Sequence, residues 1–134
     1  MHAFELDPDM LTLAGVFYPT GYVFAMFPTE QDARSTGEAL EREALSEKPV
    51  MLLSPQQILE KVVRTVGSAD IPLPSAGTEA ATVRQYAALA GQGHWAVMVH
   101  APDADDTEAV MRVVRQAPFS FAEKYRRLVI EDLA

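Results

Sequence analysis

Two short segments of the chain are apolar at nearly every position, and they constrain the fold more than any other feature. Residues 22–27 and 94–100 are rich in aromatic and β-branched side chains, which is typical of strands. Successive side chains of a strand point to opposite faces of the sheet. A strand without polar alternation is therefore covered on both faces, and the sequence predicts a sheet with two central strands and protein on each side.

Turn residues and apolar spacing divide the rest of the chain. Helices are predicted from capping residues and from the helical period of apolar side chains, over residues 30–46, 55–66, 78–90 and 103–117. Shorter strands are predicted over residues 50–53 and 127–132. Residues 1–9 lack periodicity and are expected to form a flexible arm, whereas residues 10–18 fit neither the helical nor the strand period.

In chain order these elements form two β–α–β halves separated by a pair of helices. Two split β–α–β halves are the signature of ferredoxin-like folds. We therefore predict one α+β domain over residues 1–134, with a four-stranded antiparallel sheet, helices on one face and a helical insertion at residues 55–90. The second face is covered either by the insertion or by another subunit, since a large exposed apolar surface favours association. We expect a homodimer.

Composition restricts the partners and the compartment. The chain has 11 Lys and Arg against 19 Asp and Glu, a net charge of −8, which repels a phosphate backbone, so no nucleic acid is expected. It has no Cys, which excludes thiolate metal sites and disulfides. The acidic first residues are unlike a signal peptide, and the longest apolar runs are far shorter than the ~20 residues of a membrane span. We expect a cytoplasmic protein with no membrane partner.

The segment from residue 84 to residue 115 carries Tyr86, the glycines Gly91 and Gly93, an apolar strand and a helix with an acidic N-terminus. This segment is similar to the domain of bacterial general stress proteins, a compact ferredoxin-like unit without an assigned activity. The aromatic string over residues 13–27 resembles a small uncharacterised bacterial family that has no catalytic motif. The resemblance implies a ferredoxin-like fold and an association with stress, and it carries no catalytic residue over to this chain.

Two patterns that suggest a cofactor or a metal are better explained by local structure. Residues 91–96 match G-x-G-x-x-A, but a helix precedes and a strand follows, the reverse of a dinucleotide site. The acids of residues 103–108 lack the Gly and Glu positions of a calcium loop, and acids at a helix N-terminus are stabilised by the helix dipole. We therefore expect no cofactor and no metal.

The candidate ligand-binding residues are histidines and aromatic residues of the strands. His94 and His100 lie about 20 Å apart at ~3.3 Å per strand residue, so they cannot share a metal, and each can act as a general base or ligand. The alternative is a strand-end His that is hydrogen-bonded nearby. Tyr22 and Trp95 are expected to line a pocket, unless they serve as core residues.

The stretch Lys-Tyr-Arg-Arg at residues 124–127 is the only dense basic cluster. A basic patch with an aromatic ring can hold a phosphate or an acidic partner, so Tyr125 and Arg127 join the candidates. The alternative is a solvated edge strand whose charges prevent aggregation.

Two functions from different classes remain. The first is a non-enzymatic binding or interaction module, because no hydrolase, zinc protease or NTPase motif occurs in the chain. The alternative is a small ligand-binding protein or enzyme of the dimeric ferredoxin-like type, with its pocket on a face of the sheet. A purely structural scaffold is the third possibility. A cavity with convergent polar groups favours ligand binding, whereas fully packed sheet faces that leave both histidines exposed and without partners oppose it.

Overall fold

Six strands and four helices make up the part of the chain that the computed structural model describes, which is residues 1–11, 17–64, 76–126 and 130–133. The strands are β1 (His2–Ala3), β2 (Tyr22–Phe27), β3 (Met51–Leu53), β4 (Trp95–His100), β5 (Phe121–Tyr125) and β6 (Ile130–Asp132). The helices are α1 (Glu30–Arg42), α2 (Pro55–Gln57), which continues as a π-helix (Ile58–Val63), α3 (Ala76–Gly91) and α4 (Ala104–Val114). The predicted α+β class is confirmed.

The six strands form one mixed sheet in the order β1-β3-β4-β2-β5-β6. Neighbouring strands are antiparallel except β1, which runs parallel to β3. The predicted four-stranded antiparallel sheet is therefore wrong in strand number and in the parallel pair. β1 lies within the segment expected to be an arm, and its backbone pairs with Met51 and Leu52 of β3. A strand of two residues has no periodicity that a sequence pattern can detect.

β5 is the second correction to the sheet. The sequence predicted one last strand over residues 127–132, whereas the structure has β5 before it and only Ile130–Asp132 as β6. The sequence did not predict β5 because Glu123 and Lys124 are charged, and charged side chains are typical of exposed segments. Both are nevertheless buried, since β5 lies between β2 and β6 and not at the edge of the sheet.

One face of the sheet, here called the aromatic face, is covered by the helical insertion. The π-helix and α3 pack on it, and the buried side chains of this cluster include Phe17, Phe24, Met26, Ile58, Val62, Tyr86, Met98 and Tyr125. The Tyr86 and Phe24 rings are stacked with their centroids 4.2 Å apart. The sequence left two alternatives for this face, the helical insertion or another subunit, and in the structure the insertion covers it.

The opposite face, here called the aliphatic face, is covered by α1 and α4. Its buried cluster includes Val23, Ala25, Ala33, Leu40, Val97, Val99, Val110, Met111, Val114 and Ala122. Every residue of β2 is buried, as expected for a central strand covered on both sides. A ligand site on the central strands must therefore lie at their ends and not on a face.

Three of the four predicted helix starts are confirmed by side-chain caps, whereas the helix predicted from residue 78 begins at Ala76. The Thr29 hydroxyl accepts from the Asp32 backbone at 3.2 Å, and Ser54 forms a reciprocal capping box with Gln57. Asp103 caps α4 by accepting from the Asp106 backbone at 2.8 Å. Among the helices of the described ranges, none has the length and apolarity that crossing a membrane requires.

Candidate functional site

A cleft of about 660 Å³ opens where three strands end together. Because the strands are antiparallel, the start of β2 lies beside the ends of β4 and β5. Gly21 joins them: its N–H donates to the Tyr125 carbonyl at 2.8 Å, and its carbonyl accepts from the Ala101 N–H at 2.8 Å. The start of α4 and residues of β6 complete the walls of this space, here called the cleft.

Gly21 is required by the way His100 packs in the cleft wall. Its φ is +86°, a conformation that costs other residues about 1 kcal/mol or more. A Cβ at this position would also lie 3.2 Å from His100 Nε2. The imidazole also meets the Tyr22 ring edge to face, with centroids 5.1 Å apart. His100 therefore packs against an aromatic ring and beside a position that has no side chain.

Lys124 is the most unusual residue of the cleft. It lines the cleft although only 5% of the residue is exposed. Its Nζ donates to the Ala101 carbonyl and, at 2.6 Å, to Thr107 Oγ1. The Thr107 hydroxyl has the Asp103 carbonyl at 2.9 Å as an acceptor. Lys124 therefore ties β5 to the junction between β4 and α4, and its interpretation as part of a solvated edge strand is wrong.

Burial lowers the pKa of the Lys124 amine, and the positive charge of Arg126 lowers it further. Glu131 and two aspartates at the start of α4 act in the opposite direction. Burial, followed by the charges of Lys48 and Lys124, also lowers the pKa of His100 below its ordinary 6.5. The imidazole is consequently neutral at pH 7.

The acidic side chains of the cleft wall already have partners. Glu131 pairs with Arg126 at 3.6 Å, and Glu108 pairs with Arg115 at 3.3 Å. The Asp103 carboxylate caps α4. Within the described ranges, no carboxylate forms an ion pair with Lys124.

The structure divides the predicted site residues between the two ends of the sheet. His100 and Tyr125 line the cleft, and Tyr22 contacts His100. His94 and Trp95 lie at the opposite end of β4. His94 Nδ1 shares a hydrogen bond of 2.8 Å with Ser120 Oγ, and Trp95 packs against the core of the aliphatic face.

Arg127 lies outside the described residues. The predicted pocket on a face of the sheet, with His94, Trp95, His100 and Tyr22 in its lining, is not assembled in the described ranges.

Sequence reasoning missed Gly21, Thr107 and Lys124 as parts of the site. Lys124 belonged to the basic cluster, but its burial results from β6 pairing beside β5, which no local pattern reports. Gly21 carried the one usable signal, because a glycine directly before an apolar strand indicates a tight turn. Thr107 was not predicted because it lies among the acidic residues at the start of α4, which were interpreted as helix caps.

A second buried ionisable group lies on the aromatic face and outside the cleft. Glu123 is opposite Asp132 in the β5–β6 register. Burial, followed by the Asp132 charge, raises the pKa of Glu123 from 4.5 to about 7. Near it, the Tyr86 and Tyr125 hydroxyls share a hydrogen bond of 2.9 Å.

No group of three potential metal ligands occurs among the residues whose placement the structure gives. Comparison of the chain with protein-family models, with curated proteins and with solved structures finds no match. The resemblance to stress proteins therefore stays a prediction.

Proposed function

We propose that the protein is a non-enzymatic binding module whose small ligand occupies the cleft. The observation that carries this proposal is the nearly buried Lys124 amine in the wall of a space of about 660 Å³. Ligand sites are concave, and a few placed polar groups give them specificity. A lysine in a strand interior loses hydration, and ligand binding is a function that offsets this cost.

Binding is favoured over catalysis by the state of the cleft's polar groups. The Thr107 hydroxyl is held by Lys124 and by a backbone carbonyl, so it is engaged and is not a free nucleophile. The His100 ring contacts the Tyr22 ring. Among the described contacts, it forms no hydrogen bond with a hydroxyl that would make a nucleophile–base pair.

The ferredoxin-like part of the proposal is supported by the order of the inner strands. β3, β4, β2 and β5 are neighbours and antiparallel, and α1 and α4 share one face, as in two split β–α–β halves. β1 and β6 are then additions at the edges.

A homodimer is also part of the proposal, with an edge strand as its contact. Both faces are covered by the chain's own helices, whereas β1 and β6 lie at the edges of the sheet, where backbone groups are open to pairing. The acidic composition and the lack of Cys support a cytoplasmic location.

The experiment is ligand-observed NMR with a fragment set, on the wild type and two variants. Ala104 lines the cleft, so Ala104→Trp fills it, whereas Ala88→Trp places the same ring on an exposed position of α3. We expect fragment signals that are present in the wild type and Ala88→Trp and lost in Ala104→Trp. Equal binding to all three proteins, or no binding to the wild type, would contradict the proposal. Native mass spectrometry of protein from a bacterial host adds any ligand that co-purifies.

A further inference from the structure

The Lys124 ammonium is a buried positive charge whose direct partners are uncharged. Both hydrogen-bond acceptors, the Ala101 carbonyl and Thr107 Oγ1, are neutral oxygens. A buried charge is stable when an opposite charge and full hydrogen bonding compensate its lost hydration. Two acceptors account for two of the three ammonium protons, so one proton is left for an occupant of the cleft.

Among the described residues, no carboxylate of the cleft forms a direct ion pair with the Lys124 amine. Glu131 and Glu108 are each paired with an arginine, and the Asp103 carboxylate is bound to the α4 backbone, where the helix dipole also stabilises it. Glu131 and Asp103 act on Lys124 through space, so the position in direct contact with its remaining proton is left for an occupant of the cleft.

The remaining walls indicate what is attached to the negative group. Pro102, Ala104 and Leu133 give the cleft an apolar part. One ammonium proton and one neutral imidazole suit a planar carboxylate, whereas a phosphate with several oxygens requires more donors. The occupant therefore combines a carboxylate with a small apolar body.

We propose that the cleft binds a small organic monocarboxylate, with the carboxylate on the Lys124 ammonium and the apolar body against Leu133 and Ala104. This inference rests on the proposed function of the cleft as a binding site. It adds the chemical class of the ligand and the residue that selects it.

The test is calorimetric titration of the wild type with benzoate, benzamide and inorganic phosphate at pH 7. Because a charge-assisted hydrogen bond is stronger than a neutral one, benzoate is expected to bind roughly 10-fold or more tightly than benzamide. Lys124→Met is expected to remove that preference. Lys61→Met, which removes an exposed lysine of the π-helix, is expected to keep it. Phosphate is expected to bind more weakly than benzoate.

A second measurement needs no variant and covers the case that Lys124→Met does not fold. Binding of an anion beside Lys124 favours its charged form, so benzoate binding at a pH equal to the measured pKa of Lys124 is expected to take up protons. Titration in two buffers with different ionisation enthalpies measures this uptake, and an uptake of zero contradicts the inference.

The outcomes separate the ligand class from the site. Equal affinity for benzoate and benzamide, with both lost in Ala104→Trp, would overturn the carboxylate and leave the binding cleft in place. Tighter binding of phosphate would likewise overturn the carboxylate. An absence of benzoate binding overturns the inference, and if the fragment set also fails, the proposed function fails with it.

Discussion

The aromatic and aliphatic faces of the sheet each bury one charged residue of β5, and the two residues are neighbours in sequence. Lys124 points to the aliphatic side, where oxygen atoms of Ala101 and Thr107 accept its protons beside an open cleft. Glu123 points to the aromatic side, opposite another carboxylate, and its pKa is raised to about 7. Burial alone thus does not make a binding site. The surroundings of Lys124 differ from those of Glu123 because oxygen atoms accept hydrogen bonds from its amine and because an open cleft lies next to it.

The largest expected effect tests the cover of the aromatic face. Tyr86 stacks on Phe24 and its hydroxyl bonds to Tyr125, so Tyr86→Ala is expected to lower the free energy of unfolding by about 3–5 kcal/mol. Tyr86→Phe keeps the ring and is expected to cost about 1 kcal/mol. Chemical denaturation measures both changes. A loss below about 1 kcal/mol for Tyr86→Ala would show that the insertion does not cover this face.

The next effect is the pH dependence that Glu123 confers. Its folded pKa is raised, so the folded state holds this proton more strongly than the unfolded state does. The contribution of this proton to the free energy of unfolding is fully present below pH 4.5. It decreases as the pH rises to about 7, where Glu123 ionises in the folded protein. Glu123→Gln is expected to remove this decrease and to stabilise the protein at pH 8 by about 1–3 kcal/mol.

Denaturation curves at pH 5 and pH 8 measure the effect of Glu123→Gln. The matched control is Glu38→Gln on the exposed side of α1, which is expected to leave the difference between the two pH values as in the wild type. If Glu123→Gln shows the wild-type difference as well, the assignment of a buried, protonated carboxyl to the aromatic face is wrong.

An effect of similar size is expected at the hydrogen bond between Lys124 and Thr107. Thr107→Val keeps the shape of the side chain but removes the oxygen that accepts from Lys124 at 2.6 Å, and an unmade hydrogen bond to a buried charge costs about 1–3 kcal/mol. Thr107→Ser retains the hydroxyl and serves as the control. Thermal denaturation of the three proteins is sufficient, and equal stability of the Val and Ser variants would contradict the bond.

The smallest effect concerns the turn that precedes β2. Gly21→Ala places a Cβ 3.2 Å from His100 Nε2 at a positive φ, and it is expected to cost about 1 kcal/mol and to shift the imidazole resonances of His100. At Gly91 a Cβ has open space, so Gly91→Ala is expected to leave both unchanged. Similar spectra for the two variants would place His100 away from Gly21.

The features that the sequence predicts well are those with local causes. β2 is apolar throughout and β4 is apolar up to its last residue, His100, and the caps at Thr29, Ser54 and Asp103 need only residues within one helical turn. These patterns depend on side-chain periodicity and on the backbone donors of a helix start.

The features that the sequence misses depend on distant pairing. β1 is recognisable only when β3 lies beside it, and Lys124 is buried only because β6 and α4 pack around β5. The candidate site is the part of the structure that is hardest to predict from the sequence, because its residues come from distant segments. The sequence predicts His94 and His100 at opposite ends of one strand, but the cleft beside His100 depends on how β2, β5 and α4 meet at that end of β4.

The most direct test of the account is a titration of the lysine side-chain amines by NMR, with Lys124→Met assigning the Lys124 signal among the three lysines of the chain. The account predicts that the pKa of Lys124 lies below the ordinary 10.5 and that adding benzoate raises it. A Lys124 pKa at or above 10.5 that benzoate does not change would contradict the claim that Lys124 is a buried cation to which an anionic ligand binds.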